Sequence, residues 1–436
     1  MSFFSEEHRL AATRRMLHHL GDTLNARFSV RLWEGSLIPL GREVDERFVI
    51  AINGSGVLGG LLRKPTLENL LLEYVKGHIE IHGDLIDFIA LLRDRQMKKN
   101  LKKLNKFFLL RQALPLLFAP AAHKTVQHEY TDDAIGRDAA RRDNKKFIQF
   151  HYDISNEFYA LFLDEEMQYS CGYFKDAGTS LDQAQQDKLE MICRKLRLQP
   201  GETLLDIGCG WGGLICHAAR HYGVTAHGVT LSQRQFDFAT EKIKKLGLED
   251  RVTVELRDYS TLEGAYDKVV SVGMFEHIGI ANMPAYFKKI HSLLKERGIL
   301  MNHGISRRAK ASRRKALKVR PERRLLLKYI FPGSELDNIG HTADLMEIAG
   351  FEVRDIEAWR EHYGLTCQHW YRRLEARREE AIGFVGVERF RMWALYLAGV
   401  STGFRDGSMH ICQVVATKRG PKGPSGLPLT RDDLYR

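Results

Sequence analysis

The feature that most constrains this chain is a short apolar strand, Thr203-Leu-Leu-Asp-Ile207, running straight into Gly208-Cys-Gly-Trp-Gly-Gly213. Glycines at this density let the backbone turn tightly and approach a ligand, and the helix that follows offers unpaired N–H donors at its start. A nucleoside-bearing cofactor fits such a turn. From Lys188 onward, strand and helix patterns alternate. Residues 224–229, 252–256, 268–272 and 298–302 read as the next strands, and 351–354 with 409–416 complete a set of seven. Between them, a helix over 284–295 turns Phe287, Ile290, Leu293 and Leu294 inward. This alternation predicts an α/β fold with a mostly parallel seven-stranded sheet covered on both faces.

With 436 residues, 44% of them apolar, the chain has material for two cores. Residues 1–120 read as a small α+β unit, with strands at 28–33 and 48–53 and a helix from Thr66 to about Lys76 presenting Leu67, Leu70, Leu71 and Val75. A basic linker over 121–146 leads to the catalytic domain, 147–418, and the Gly/Pro-rich residues 419–436 read as a mobile tail. No stretch approaches the roughly 20 apolar residues that cross a bilayer, and the first residues lack a basic flank and apolar core, so a cytoplasmic location is expected. The six cysteines (Cys171, Cys193, Cys209, Cys216, Cys367, Cys412) form no Cys-x-x-Cys pair, so neither a disulfide framework nor a metal site is indicated.

A formal charge of +11 attracts a polyanion, and both nucleic acid and anionic lipid qualify. Part of the excess lies in three runs: 93–111, 137–146 and 307–324. In the first, lysines alternate with Leu101, Leu104, Phe107, Phe108 and Leu110 at helical spacing. That pattern suits a helix lying on an anionic membrane surface, and equally one whose apolar face packs on its own domain.

The glycine turn has the spacing Asp-x-Gly-x-Gly-x-Gly, which differs from the dinucleotide fingerprint and resembles the first motif of class I S-adenosylmethionine methyltransferases. Two polar loops follow successive strands, Thr230-Leu-Ser-Gln-Arg-Gln235 and Arg257-Asp258-Tyr259, where that class binds its cofactor. Further motifs narrow the match. His151-Tyr-Asp-Ile-Ser-Asn156, Met167-Gln-Tyr-Ser-Cys-Gly-Tyr-Phe174, Gly228-Val-Thr-Leu-Ser, Ser271-Val-Gly-Met-Phe-Glu-His-Ile-Gly279 and Lys328-Tyr-Ile-Phe-Pro-Gly, taken with the glycine turn, resemble the cyclopropane-fatty-acyl-phospholipid synthase family. The resemblance is close over about 140–418 and weaker over the N-terminal unit. Mycolic acid cyclopropane synthases share the catalytic domain and generally lack that unit, so its presence favours the phospholipid branch.

The resemblance implies a Rossmann-like class I methyltransferase domain that adds a methylene unit from S-adenosylmethionine to the double bond of an unsaturated phospholipid acyl chain. An alkene is a weak nucleophile, so the chemistry needs a dry, apolar, orienting pocket. Attack leaves a carbocation, and a base must then take a proton from the new methyl group to close the ring. The resemblance implies bicarbonate as that base, cradled by Cys171, Glu276, His303, Ile305 and Tyr363, with Cys171 and Ile305 acting through backbone groups. For the cofactor it implies Tyr169, Ser170, Gly208, Cys209, Gly210, Thr230, Leu231, Ser232, Gln235, Asp258 and Tyr259. His151 and Asn156 would shape the cofactor lid, and His277 would be structural. Taken singly, each catalytic candidate also has a structural reading: Glu276 as a cap, His303 as a core histidine, Cys171 as a small hydrophobe, Tyr363 as an interface aromatic.

Two departures stand out. The chain has His303-Gly-Ile-Ser306 where many synthases have His-Thr-Ile-Gly, which removes a side chain beside the proposed anion site, and residues 306–324 carry ten Lys or Arg, read as either a headgroup-facing patch or a solvated loop. One rival is a synthase that stops short of ring closure and leaves a methyl-branched or methylene fatty acid. A nucleic-acid methyltransferase is disfavoured, because Met274-Phe-Glu-His-Ile stands where an Asn/Asp-Pro-Pro-aromatic motif belongs. A non-catalytic lipid-binding module is disfavoured by the retained Glu276, His303 and Tyr363. The expected partner is therefore membrane lipid, at the inner face of the membrane. A homodimer would strengthen peripheral binding through avidity, though no residue pattern demands one.

Overall fold

A computed structural model describes residues 4–120, 154–312, 319–420 and 423–435. The linker expected at 121–146, the basic run at 137–146 and His151 lie outside them. The chain gathers into two units: the residues before 132 with 320–325 and 378–402, and the remainder.

In the first unit, β1 (Ser29–Arg31), β2 (Leu37–Pro39), β3 (Val49–Ile52) and β4 (Ile79–His82) form a sheet in the order β2-β1-β3-β4. β1 and β3 run parallel and the outer pairs antiparallel. The helices are α1 (Glu6–Leu24), α2 (Ser55–Arg63), α3 (Leu67–Val75), α4 (Leu85–Leu92), α5 (Arg95–Asn100) and α6 (Lys106–Leu117). Each of α1, α3, α4 and α6 begins at a residue whose side chain accepts an orphan backbone N–H, namely Ser5, Thr66, Asp84 and Asn105. Leu17, Leu24, Val30, Val57, Ile79 and Phe88 meet in the core.

The basic run at 93–111 is not one helix. It breaks between α5 and α6 because the Asn105 side chain accepts the Phe108 N–H (3.0 Å) and starts a new helix. Leu104 packs against the core, whereas Phe107 and Leu110 are 78% and 66% exposed.

The second unit contains α7 (Asn156–Ala160), α8 (Leu181–Leu196), α9 (Gly213–Tyr222), α10 (Gln233–Lys245), α11 (Phe275–Ile278), α12 (Met283–Leu293), the C-terminal part of α13 (Pro321–Tyr329), α14 (Ile339–Ile348) and α15 (Arg360–Ala376). Its strands are β5 (Thr203–Ile207), β6 (Thr225–Thr230), β7 (Val252–Leu256), β8 (Tyr266–Val272), β9 (Leu294–Ser306), β10 (Phe351–Ala358) and β11 (His410–Lys418). They lie in the order β10-β11-β9-β8-β5-β6-β7, with only β11 antiparallel to its neighbours. Period-two alternation places Leu204 and Val270 in the core on one face and Leu205, Ile207 and Val269 in the core on the other. Leu294, expected at the end of the preceding helix, instead opens β9.

The chain runs outward from β5 through β6 to β7 and then returns to β8 on the other side of β5. β5 and β8 therefore flank a topological switch point, where open α/β sheets bind ligands beyond their strand ends. The C-terminal residues, expected as a mobile tail, make defined contacts. Leu434 is buried, Arg194 donates to its carbonyl (3.3 Å), and Arg431 pairs with Asp355 (2.8 Å).

Candidate active site

Beyond β5, β6, β7 and β8 lies a cavity of about 1090 Å³, measured out to its open mouth. The glycine turn makes room for it. Gly208 has φ 85°, and a Cβ on Gly213 would stand 2.2 Å from Gln168 Nε2. Ten of the expected cofactor residues line the cavity: Tyr169, Ser170, Gly208, Cys209, Gly210, Thr230, Leu231, Gln235, Asp258 and Tyr259. Thr230 Oγ1 donates to Gln235 Oε1 (2.8 Å), which fixes the Gln235 amide. Ser232 does not line the cavity. It is wholly buried, and its hydroxyl accepts the Gln235 N–H at the start of α10. His277, expected to be structural, does line it, with its ring 6.1 Å from Phe331 of the Lys-Tyr-Ile-Phe-Pro-Gly segment. Asn156 Oδ1 accepts from Trp211 Nε1 (2.9 Å), tying α7 to the glycine turn.

Sequence reasoning missed Lys188. It is wholly buried, lines the cavity, and donates to Ser170 Oγ (2.9 Å) and to Gln168 Oε1. Burial pushes its amine down to about 8, opposed by Asp164 and Asp206. Burial pushes the Asp206 carboxyl up to about 7, opposed by Lys188, and Asp206 Oδ1 has no partner among the described residues. Lys188 and Lys195 sit one heptad apart on the buried face of α8, among Leu181, Ala184, Leu189 and Ile192. Lysines on an apolar helix face were the signal available.

A second polar group gathers at the end of β9. Glu276, in the first turn of α11, is buried, and its Oε1 accepts the Ile305 N–H. Its Oε2 has no partner among the described residues, and burial pushes its carboxyl up to about 7. His303 and Ile305 are two apart on β9 and so share a face. His303 is wholly buried, Gln413 Nε2 meets its Nδ1 at 2.9 Å, and its Nε2 is unpartnered among the described residues. Burial, reinforced by Lys188 and Lys195, holds the ring neutral.

Cys171 is wholly buried, with its thiol 3.7 Å from the Trp359 carbonyl, and burial pushes the thiol well up, so it is inert. Trp359 in turn stands edge-on to His303 at 5.5 Å. Tyr363 lies on α15 with its ring 4.6 Å from Phe404 and 5.9 Å from Trp370. One correction concerns Ile305: its N–H is engaged by Glu276. Another concerns Gly304, which points to the opposite face of β9, where a Cβ would come within 3.1 Å of Phe275. The side chain missing there is missing from the Phe275 side, not from beside His303. Arg307, in the basic run, is held by Asp337 (3.3 Å) and the Leu336 carbonyl (2.9 Å).

An aromatic wall adjoins the site, in which Tyr169 and Trp211 belong to the motifs above and Trp370 had no sequence signature. Tyr169 lies 5.1 Å from Trp370 and 5.4 Å from Tyr159, which reaches Trp211 at 5.3 Å. Such rings exclude water and favour a passing cation.

A mostly parallel seven-stranded sheet, a glycine turn after its first strand and a cavity at the switch point define a class I S-adenosylmethionine-dependent methyltransferase. Within that class the chain belongs to the mycolic acid cyclopropane synthetase family, whose model matches residues 139–414. A probable fatty acid methyltransferase of Pseudomonas putida is 36% identical over 420 residues, spanning 95% of this chain and 98% of that one. The cyclopropane-fatty-acyl-phospholipid synthase of Escherichia coli K12 is 41% identical over 269 residues, 62% of this chain and 66% of that one. The crystal structure of mycolic acid cyclopropane synthase CmaA1 complexed with SAH and CTAB matches with a TM-score of 0.60 at 30% identity, covering 64% of this chain and 99% of that one.

Proposed function

We propose that the enzyme transfers a methylene unit from S-adenosylmethionine to the double bond of an acyl chain in a membrane phospholipid and closes a cyclopropane ring, with bicarbonate as the base. The observation that carries this reading is that two buried polar atoms, Glu276 Oε2 and His303 Nε2, have no partner among the described residues, on side chains linked through Ile305 of β9 and with the Trp359 ring edge-on to His303. Buried polar atoms are rarely left unsatisfied, so the pair fits a small polar ligand.

S-adenosylmethionine supplies an electrophilic methyl group. The alkene takes that methyl, leaving a carbocation and S-adenosylhomocysteine. Bicarbonate, held by Glu276 and His303, would supply a base weak enough to coexist with the sulfonium. A proton then leaves the new methyl group, and its C–H electron pair closes the ring. Within this chain, Tyr169, Trp370 and Tyr363 exclude water and face positive charge with ring electrons. Burial pushes the Glu276 carboxyl up to about 7, which suits Oε2 to take up and release the ring-closure proton near neutral pH.

Lipid access is supported by the N-terminal unit. The exposed stripe Phe107, Leu110 and Leu114 on α6 (78%, 66% and 49% exposed) follows directly on exposed Lys102, Lys103 and Lys106. An apolar stripe beside lysines suits peripheral docking on an anionic bilayer, at the inner face of the membrane. No helix among the described residues is long and apolar enough to cross one.

The similarity to the probable fatty acid methyltransferase of Pseudomonas putida favours a second reading in which the reaction ends in a methyl branch. Incubating the protein with S-adenosylmethionine, bicarbonate and vesicles of unsaturated phospholipid, then analysing the acyl chains by gas chromatography and mass spectrometry, separates the two. A ring product one CH₂ heavier, lost in Glu276→Gln, is the expected result. A methyl-branched or methylene product overturns ring closure, and no product with cofactor bound overturns the lipid substrate.

A further inference from the structure

His303 is the inner end of a buried chain of hydrogen bonds that begins at Lys195. Lys195, 1% exposed at its side chain, donates to Glu357 and to Gln413 Oε1 (2.6 Å), and its Nζ stands 5.1 Å from the Trp359 ring. Gln413, also buried, meets His303 Nδ1 through its Nε2 at 2.9 Å.

The direction of this chain follows from donor and acceptor inventory alone. An ammonium has hydrogens to give and no lone pair to receive with. It therefore holds Gln413 by its carbonyl oxygen, which turns the amide NH₂ towards His303. A donor pointed at Nδ1 requires a lone pair there. The proton of the neutral imidazole must then sit on Nε2, the buried nitrogen without a partner among the described residues. We propose that Lys195 and Gln413 are positioning residues that lock His303 as the Nε2–H tautomer, so that it offers the site a hydrogen-bond donor and not a proton acceptor. Protonation of Nδ1 would set two N–H groups against each other, and the Lys188 and Lys195 charges oppose the imidazolium.

This goes beyond the anion reading of the site and rests on it for its consequence. A donor at Nε2 orients an anionic base by hydrogen bonding and leaves proton uptake to the anion and to Glu276. Had His303 presented a bare nitrogen, it would compete with the anion for the same proton. Holding a histidine through its distal nitrogen is the usual way an outer partner fixes a tautomer.

The test is nitrogen-15 NMR of the full-length protein with labelled histidine, His303 being assigned by difference against His303→Asn. The expected spectrum has the Nε2–H pattern, unchanged from pH 6 to 8. In Gln413→Glu the carboxylate accepts from both sides, and the pattern is expected to switch to Nδ1–H. Lys195→Met frees the amide to turn and is expected to give a mixture, which serves should the glutamate variant fail to fold. In both variants the concentration of bicarbonate giving half-maximal turnover is expected to rise by about 10–100-fold, with the KM for S-adenosylmethionine unchanged. An Nδ1–H pattern, or a titrating His303, in the unmodified protein overturns the lock. The Nε2–H pattern together with turnover indifferent to bicarbonate supports the lock and overturns the anion reading instead.

Discussion

The two units treat charge in opposite ways. In the seven-stranded unit, Lys188, Lys195, Asp206, Glu276 and His303 lie inside, near strand ends or on the inner face of α8. In the N-terminal unit the core is aliphatic and aromatic, and Arg9, paired with Glu6, is the buried charged side chain among the described residues. Its lysines stand outside beside apolar side chains that are also outside. Buried charge costs stability unless it is matched, so its persistence marks where chemistry is done. Exposed apolar surface beside like charges marks where a surface is met. If this contrast is right, substitutions in the first unit change docking and those in the second change catalysis or folding.

The largest effect is expected for Glu276→Gln. Removing a group that titrates about pH 7 while keeping its shape should lower product formation by about 10²–10⁴-fold, with S-adenosylhomocysteine affinity in calorimetry unchanged. A variant that retains turnover would end the role of Oε2 in proton movement. Lys188→Met comes next. It leaves Asp206 and Asp164 buried without their cation, and a loss of about 3–5 kcal/mol is expected in urea unfolding. Little change would mean that Lys188 is present for the cofactor alone.

The pH profile of stability sharpens the same contrast. The folded-state carboxyl of Glu276 lies at about 7, above its unfolded value of 4.5, so the native state binds the extra proton between those limits. Stability contributed by that proton is fully present below pH 4.5 and is lost as pH rises through 7, amounting to about 3 kcal/mol. Stability plotted against pH for the unmodified protein should fall away from that of Glu276→Gln by that amount between pH 4.5 and 7, and parallel curves would show that the carboxyl is not perturbed. In the N-terminal unit, Phe107→Ser with Leu110→Ser should weaken binding to anionic vesicles by about tenfold and leave stability within about 0.5 kcal/mol. Unchanged vesicle binding would break the docking half of the comparison.

How much of this was legible depended on whether the signal was local. β5, the glycine turn, β7 and α12 follow from period and turn chemistry within a dozen residues, and so do most of the cofactor-lining positions. β2 and β4, of three and four residues, are too short to show a period. The break at Asn105 depends on one side chain choosing a backbone N–H over solvent. Glu276 and His303 were found through motifs, but their environment was not, because Gln413 reaches His303 across 110 residues of chain and Lys195 reaches Gln413 across 218. The orientation of Gly304 was misread for the opposite reason: adjacency in sequence places neighbours on opposite faces of a strand.

Ser232 tests the smallest distinction, between a residue that holds ligand and one that holds the element that does. It was expected among the cofactor contacts, and it lies in the same loop as Thr230, Leu231 and Gln235, which line the cavity. Its hydroxyl instead accepts the Gln235 N–H at 3.4 Å as the N-cap of α10. Ser232→Ala should therefore cost about 1 kcal/mol of stability and leave S-adenosylhomocysteine affinity within about twofold. Ser232→Asp keeps an acceptor at the cap, next to the positive end of a helix dipole, and should recover part of the loss if the buried site admits it. An affinity loss in Ser232→Ala larger than its stability loss would place the hydroxyl on the ligand after all. The loop would then bind through side chains at four positions, and the division between scaffold and site would run through α10 and not in front of it.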